Sequence, residues 1–439
     1  MKNKVAFLTF HHPVMDARIF YKEARSLGRA GYDVSLLAPV QENGQMWWTN
    51  NIRRRPDGDG GQVLDGIRII GFPLKNPTRI LGLPKTTWLQ RLLYPVCQWL
   101  RFYTGGRIDV GPNPFSEMIE KGTKIAADVY HCHEVETLYA GTQIKKKLKK
   151  QGKNPKLIYD VHEFPPASYS RKFRENRGLT RKAVTRWVKK GLEEVDFVIT
   201  ANYITRGFLL SQNRFINTEV IENCPSLTLF EENVSRRNNI EADEIIICHE
   251  GNLFFNRGLK EMLEIMKTLK KKYGDKVKLL VVGDALNKKE KSYLNQKLDE
   301  YQIQDIVEVT GWLSYEKVGG ALSRGSIGIV FMEFEENNML AGPPNKLFNY
   351  MRYGLPVIAV DIPETRRIVI ESECGIIVKE RSVDALLEAL SILIENPELK
   401  RQMGENARRA VHEKYNWDIM EKKLLRIYDE LVSSSTYVL

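Results

Sequence analysis

The chain has 439 residues, 43% of them hydrophobic and 28% charged, with a formal net charge of +11. That balance excludes a disordered chain, suits about two domains, and favours anionic partners through its excess of lysine and arginine. Five scattered cysteines (Cys97, Cys132, Cys224, Cys248, Cys374) without CxxC spacing exclude a disulfide framework or zinc knuckle and point to reduced thiols in a cytoplasmic protein, and no apolar run approaches the ~20 residues that cross a bilayer.

Val5-Ala6-Phe7-Leu8-Thr9-Phe10 reads as a buried first strand. The loop His11-His12-Pro13-Val14-Met15-Asp16 follows. Residues 17–30 then predict a helix, with Asp16 as N-cap and Ile19, Phe20, Ala24 and Leu27 on one face. Gly31 closes it, and 32–38 form a second strand. This βαβ opening predicts a parallel sheet. No GxGxxG separates strand from helix, so the dinucleotide fingerprint is absent where a dehydrogenase would need it. After an irregular stretch and an exposed loop over 53–61, residues 63–72 return as a strand. Residues 85–103 carry an apolar stripe of Trp88, Leu92, Val96, Trp99 and Tyr103, kinked at Pro95. Such a stretch either lies on an anionic membrane surface or packs as a helical insertion on the first domain; Pro95 and the few basic residues favour the insertion.

Residues 125–130 read as a strand that ends in His131-Cys132-His133-Glu134. Two histidines about a cysteine resemble metal ligands, but no fourth ligand stands nearby in the sequence, so no metal is expected. A histidine at the carboxyl end of a parallel strand does suit a ligand cleft. Tyr159-Asp160-Val161-His162-Glu163 repeats that pattern, and strands over 195–200 and 219–225 complete this half.

A charged segment over 227–243 marks the domain boundary. A strand over 244–249 then leads into Glu250-Gly251-Asn252-Leu253, and Arg257 precedes a helix over 260–271. Strands over 278–282 and 306–310 end in Gly283-Asp284 and Gly311-Trp312. Gly342-Pro343-Pro344-Asn345-Lys346-Leu347-Phe348-Asn349-Tyr350-Met351 reads as a loop entering a helix, with Gly354 as its cap and Val357 to Val360 as a buried strand. A helix start behind a Gly-Pro loop offers unpaired N–H groups, and Lys346 adds a cation. Alone, the stretch fits a phosphate site and an ordinary helix–strand unit with a solvated lysine equally well. Gly251, Arg257, Gly283, Gly311 and Lys346 all fall at the carboxyl ends of predicted strands, which favours the phosphate site. Three terminal helices follow.

Over nearly its whole length the chain resembles the retaining, nucleotide-sugar-dependent glycosyltransferases of the GT-B fold, family four of that class, also called glycosyl transferases group 1. The most specific match is Pro344-Asn345-Lys346-Leu347-Phe348-Asn349-Tyr350-Met351 followed by Gly354-Leu355-Pro356-Val357. Others are Gly251-Asn252-Leu253 with Arg257-Gly258, Asp16-Ala17-Arg18-Ile19-Phe20, Val129-Tyr130-His131-Cys132-His133-Glu134, and Tyr159-Asp160-Val161-His162-Glu163.

The resemblance implies an α/β chain of two doubly wound, Rossmann-like domains facing a central cleft. Residues 1–226 would bind acceptor, 244–410 would bind the nucleotide sugar, and 411–439 would form a helix crossing back to the first domain. Arg257 and Lys346 would grip the diphosphate, and His133 would face the donor sugar. Gly251, Asn252, Gly283, Asp284, Gly311, Trp312, Pro344, Asn345 and Asn349 would hold the donor. His11, His12, Asp16, Arg18, Glu134, His162 and Glu163 would shape the acceptor pocket. The donor is a nucleotide-diphosphate sugar, with no cofactor and no metal. The acceptor would be a glycan or a lipid-linked glycan in envelope or exopolysaccharide assembly. The setting would be cytoplasmic, with 85–103 offering peripheral contact with the inner membrane face.

The chain departs from the family at two places. The family has a glutamate, then a second glutamate that binds the ribose hydroxyls; here Ala341 and Asn349 stand at those positions. The Gly-Gly loop of many relatives is replaced by His11-His12-Pro13. Ala341 and Asn349 keep open a catalytically weak member that binds a sugar nucleotide or a partner, and the shared architecture keeps open a sugar-nucleotide epimerase or phosphorylase. A nucleic-acid binder would fit the charge but lacks a recognisable module.

Overall fold

The computed structural model describes residues 2–40, 44–48, 52–54, 62–73, 115–172, 177–227, 244–285, 287–313 and 315–433. The amphipathic stretch 85–103, most of loop 53–61 and nearly all of the charged segment 227–243 lie outside the described residues. The chain divides into two compact units, Met1–Glu222 with Met420–Leu439, and Asn223–Ile419.

In the first unit the strands are β1 (Lys4–Leu8), β2 (Asp33–Val40), β3 (Met46–Trp47), β4 (Arg53–Arg54), β5 (Gln62–Leu64), β6 (Ile67–Pro73), β7 (Val129–His133), β8 (Lys156–Val161), β9 (Phe197–Thr200) and β10 (Thr218–Val220). β6, β2, β1, β7, β8, β9 and β10 lie side by side in parallel. Apolar runs such as Val5-Ala6-Phe7-Leu8, buried on both faces, are what a doubly covered sheet requires. Later strands extend from either side of β1, so the winding reverses between β1 and β7. The loops that leave the carboxyl ends of these two strands begin at Thr9 and Glu134.

Three local expectations change. Residues 63–72 are a hairpin rather than one strand: Asp65 and Gly66, both at positive φ, turn β5 antiparallel onto β6. The first helix begins at Ile19 as a wide π-turn, Ile19–Ala24, and continues as Arg25–Arg29. It starts late because Asp16 Oδ1 accepts from the backbone N–H groups of Arg18 and Ile19, which holds 16–18 in a turn. Ile125 ends the helix Ser116–Ile125, and left-handed Ala126 leads to a strand that begins only at Val129. A short apolar run does not distinguish a helix end from a strand, and here the helix takes it. His131 and His133 therefore stand inside β7.

In the second unit β11 (Ile245–Glu250), β12 (Val277–Val282), β13 (Val307–Val309), β14 (Ile327–Val330), β15 (Val357–Val360) and β16 (Gly375–Val378) are all parallel, in the order β13-β12-β11-β14-β15-β16. This is a doubly wound sheet whose winding reverses between β11 and β14, and ligands of such sheets sit beyond the strand ends at the reversal. Helix Leu259–Tyr273 lays Leu259, Met262, Leu263, Met266 and Leu269 on the core at helical spacing. No described helix is long and apolar enough to cross a membrane.

Candidate functional site

In the second unit the site grows from the end of β11. Gly251, at φ +97°, turns the chain away from the sheet, and its N–H donates to Val282 O. Gly283 closes the end of β12 against it: a Cβ at Gly283 would stand 2.1 Å from Gly251 O. Only glycine allows that approach. The chain then passes through the single turn Phe255–Arg257 to Gly258, whose φ of +92° opens helix Leu259–Tyr273.

Helix Asn345–Arg352 brings the second cation. Pro344 stands at its N-cap with no side-chain cap, so the first N–H groups are left to another partner. Lys346 is 7% exposed and, among the described residues, makes no hydrogen bond or ion pair. Burial, with the Arg257 guanidinium beside it, pushes its amine down to about 7, against an opposing pull from Glu250. His249, fully buried on β11, is pushed down by burial and then by Lys346 and Arg257. Three groups that would carry positive charge thus crowd one strand end, a place prepared for an anion. Asn349 Nδ2 donates to Glu250 Oε1 at 2.8 Å, and Asn223 Nδ2 donates to Asn345 Oδ1 at 3.0 Å. Asp284 caps the turn at Ala285, Gly311 is left-handed, and Trp312 is exposed.

In the first unit the predicted acceptor residues gather at the carboxyl ends of β1, β7 and β8. Strand alternation explains why: His131 and His133 share one face of β7, and Asp160 lies on the neighbouring strand in register with His133. Asp160 is buried and accepts from Arg18 through both of its oxygens at 3.1 to 3.3 Å. Arg18 also pairs with Glu23 at 2.8 Å and donates to Ile221 O at 2.7 Å. Arg18, expected to shape the acceptor pocket, is thus buried and engaged by internal partners. Arg18 holds the Asp160 carboxyl well below the usual range, while burial raises Glu23 well above it.

His133 is likewise fully buried rather than open to a sugar. It stacks on His131 and Phe7, and its Nδ1 lies 3.4 Å from His162 Nε2. Burial pushes His131, His133 and His162 down, toward neutral rings. The more open groups are His11, His12, Glu134, His162 and Glu163. His12 faces Asp16 at 3.6 Å, His11 meets Glu136 at 2.6 Å, and the backbone N–H of His162 donates to Glu134 Oε1 at 3.2 Å. Glu134 begins helix Glu134–Lys149 at φ +73°, a strained position for a residue with a side chain. Burial, with Glu163 and Glu136 nearby, pushes its carboxyl up to about 8 even though His12 opposes the shift.

Two groups have metal-ligand chemistry among the described residues: Glu23, His131, His133 and Asp160, and His12, Glu134 and His162, each with ligand atoms within 4.8 Å of one another. In the first, Arg18 already supplies the positive charge. The second lies at the carboxyl ends of β1, β7 and β8. Sequence reasoning missed Glu23, Tyr428 and Glu250. Tyr428, on helix Trp417–Ser433, meets His131 Nδ1 at 2.8 Å from 297 residues away, a pairing with no local signal. Glu250 did carry one: a carboxylate ending an apolar strand, immediately before a glycine.

Residues 230–410 match the family described as glycosyl transferases group 1. An uncharacterized glycosyltransferase of Methanocaldococcus jannaschii is 24% identical over 251 residues, 55% of this chain and 60% of that protein. The chain spans about half the length of the next curated relatives it matches, 46% and 52%. Among solved structures, sucrose-phosphate synthase of Thermosynechococcus elongatus superposes with a TM-score of 0.66 at 19% identity, over 99% of this chain and 100% of that one. The Anabaena protein HepE in complex with UDP gives 0.66 at 13% identity, over 98% and 100%. At such identities these two likenesses speak to the fold alone.

Proposed function

We propose, for a chain that belongs to the group 1 glycosyltransferases and has their GT-B fold, that it moves a sugar from a nucleotide-diphosphate donor to an acceptor hydroxyl with retention of configuration. The observation that carries this reading is Lys346: a buried amine, beside a guanidinium, at the carboxyl end of a doubly wound sheet where the winding reverses. A lysine in that state lacks an anion, and a diphosphate supplies it.

The costly event in the transfer is negative charge gathering on the departing diphosphate. Arg257, Lys346 and the N–H groups that open helices Leu259–Tyr273 and Asn345–Arg352 offset it without reorganising, so these groups do at the diphosphate what a metal does elsewhere. The leaving phosphate takes the acceptor proton. In the first unit Glu134, His162, His12 and Glu163 present polar groups to an acceptor, and His133 acts on it by positioning His162. The acceptor class we favour is a glycan or lipid-linked glycan of envelope assembly, handled on the cytoplasmic side of a membrane. The test is incubation with a panel of nucleotide sugars and candidate acceptors, read as nucleoside diphosphate release and sugar transfer. Lys346→Ala and Arg257→Ala should lose turnover by at least a hundredfold while melting cooperatively; equal loss of turnover and folding contradicts the assignment. A second reading, a weak catalyst that retains binding, is favoured by Ala341 and by the amide of Asn349 being tied to Glu250. It predicts nucleotide binding with no release.

A further inference from the structure

We infer that Glu250 is the carboxyl group that takes the ribose hydroxyls of the donor, with Asn349 holding it in place; the inference rests on the donor-site reading above. Glu250 ends β11 at the sheet's reversal. Its backbone N–H donates to Tyr350 Oη at 2.7 Å, and that hydroxyl donates to Ile329 O at 3.3 Å, so Tyr350, from helix Asn345–Arg352, ties the end of β11 to β14. Asn349 Nδ2 fixes one carboxyl oxygen, Oε1, at 2.8 Å. The other, Oε2, is buried and has no hydrogen bond among the described residues, and Asn252 Oδ1, two residues along, is in the same condition. Buried acceptors without donors are costly, and their persistence at a ligand-bearing strand end asks for a ligand that brings donors.

The chemistry narrows which part of the ligand that is. A diphosphate offers acceptors and negative charge, so it goes to Lys346 and Arg257 and is repelled by a carboxylate. The nearest donor groups on a nucleoside diphosphate are the ribose hydroxyls. A carboxyl oxygen and an asparagine carbonyl, held side by side by their own hydrogen bond, present two acceptors to a vicinal pair of hydroxyls. The carboxylate that the sequence lacks at position 349 thus stands one strand away, and Asn349 serves as its clamp.

The experiment compares the Kd of UDP, GDP and ADP with those of their 2′-deoxy counterparts on the full chain. Wild type should bind the best ribonucleotide at least tenfold more tightly than its deoxy form. Glu250→Gln should cut that ratio to threefold or less. The exchange variant Glu250→Gln with Asn349→Glu keeps an amide–carboxyl pair with the partners reversed, and should return the ratio toward wild type. Equal binding of ribo and deoxy forms by wild type overturns this inference and leaves the donor-site reading standing. So does a ratio that survives Glu250→Gln. Failure of every nucleotide to bind overturns the donor-site reading itself. If Glu250→Gln does not fold, the wild-type ratio and the exchange variant still decide.

Discussion

Nucleotide affinity should depend on pH through Lys346. In the free protein its amine sits at about 7, displaced from the usual 10.5 by burial and Arg257. Each pKa unit is about 1.4 kcal/mol, so the site prefers the neutral amine by roughly 5 kcal/mol relative to water. A bound diphosphate reverses that preference, and binding then takes up a proton whenever the pH exceeds 7. If only the ammonium form binds, Kd should weaken about tenfold between pH 6 and pH 8. Calorimetry in two buffers of different ionisation enthalpy should show nearly one proton taken up at pH 8 and almost none at pH 6. Lys346→Arg, always charged, should flatten the profile. The folding side has its own sign. A lysine whose folded pKa lies below its unfolded pKa costs most below pH 7, and that cost fades as pH rises from 7 to 10.5. Lys346→Met should therefore raise stability at pH 7 by about 1–4 kcal/mol while abolishing nucleotide binding. A flat Kd from pH 6 to pH 8, or a Lys346→Met protein less stable than wild type, would refute the reasoning.

Other consequences are as direct. Gly283→Ala forces a Cβ against Gly251 O and should cost about 1–3 kcal/mol or more in urea unfolding, with weakened nucleotide binding, because the ends of β11 and β12 must part. Tyr428→Phe removes the partner of buried His131 Nδ1 and should cost about 1–3 kcal/mol; an unchanged midpoint would mean that the contact is idle. Glu134 has a folded carboxyl pushed up to about 8 from 4.5, so its contribution to stability is full below pH 4.5 and is lost as pH rises through 8. Glu134→Gln should then be more stable than wild type at pH 8.5 and nearly equal to it at pH 4.5, as read by melting temperature.

Much of this was legible along the chain because its cause is local. Alternating strands and helices imply parallel sheets, and glycines and cations placed just after strand ends mark Gly251, Arg257, Gly283 and Lys346 before any coordinates. What was not legible depends on pairings far apart in sequence. Arg18 looks like an accessible loop cation until Asp160, 142 residues on, closes on it. His131-Cys132-His133 reads as the open end of a strand, but the strand runs from Val129 to His133, so both rings stack on Phe7 and His131 also meets Tyr428. Asn349 reads as a lost carboxylate until Glu250, 99 positions earlier, is found at its amide.

The central claim is that Arg257 and Lys346 form an anion site for a sugar nucleotide. The most direct test is thermal stability of wild type and Lys346→Ala against a panel of nucleoside diphosphates and sugar nucleotides, without divalent metal. A ligand at one hundred times its Kd adds about 2.7 kcal/mol to the native state. The account predicts a clear rise with one base in wild type and little or none in Lys346→Ala. No rise with any nucleotide, or the same rise in both proteins, would contradict it.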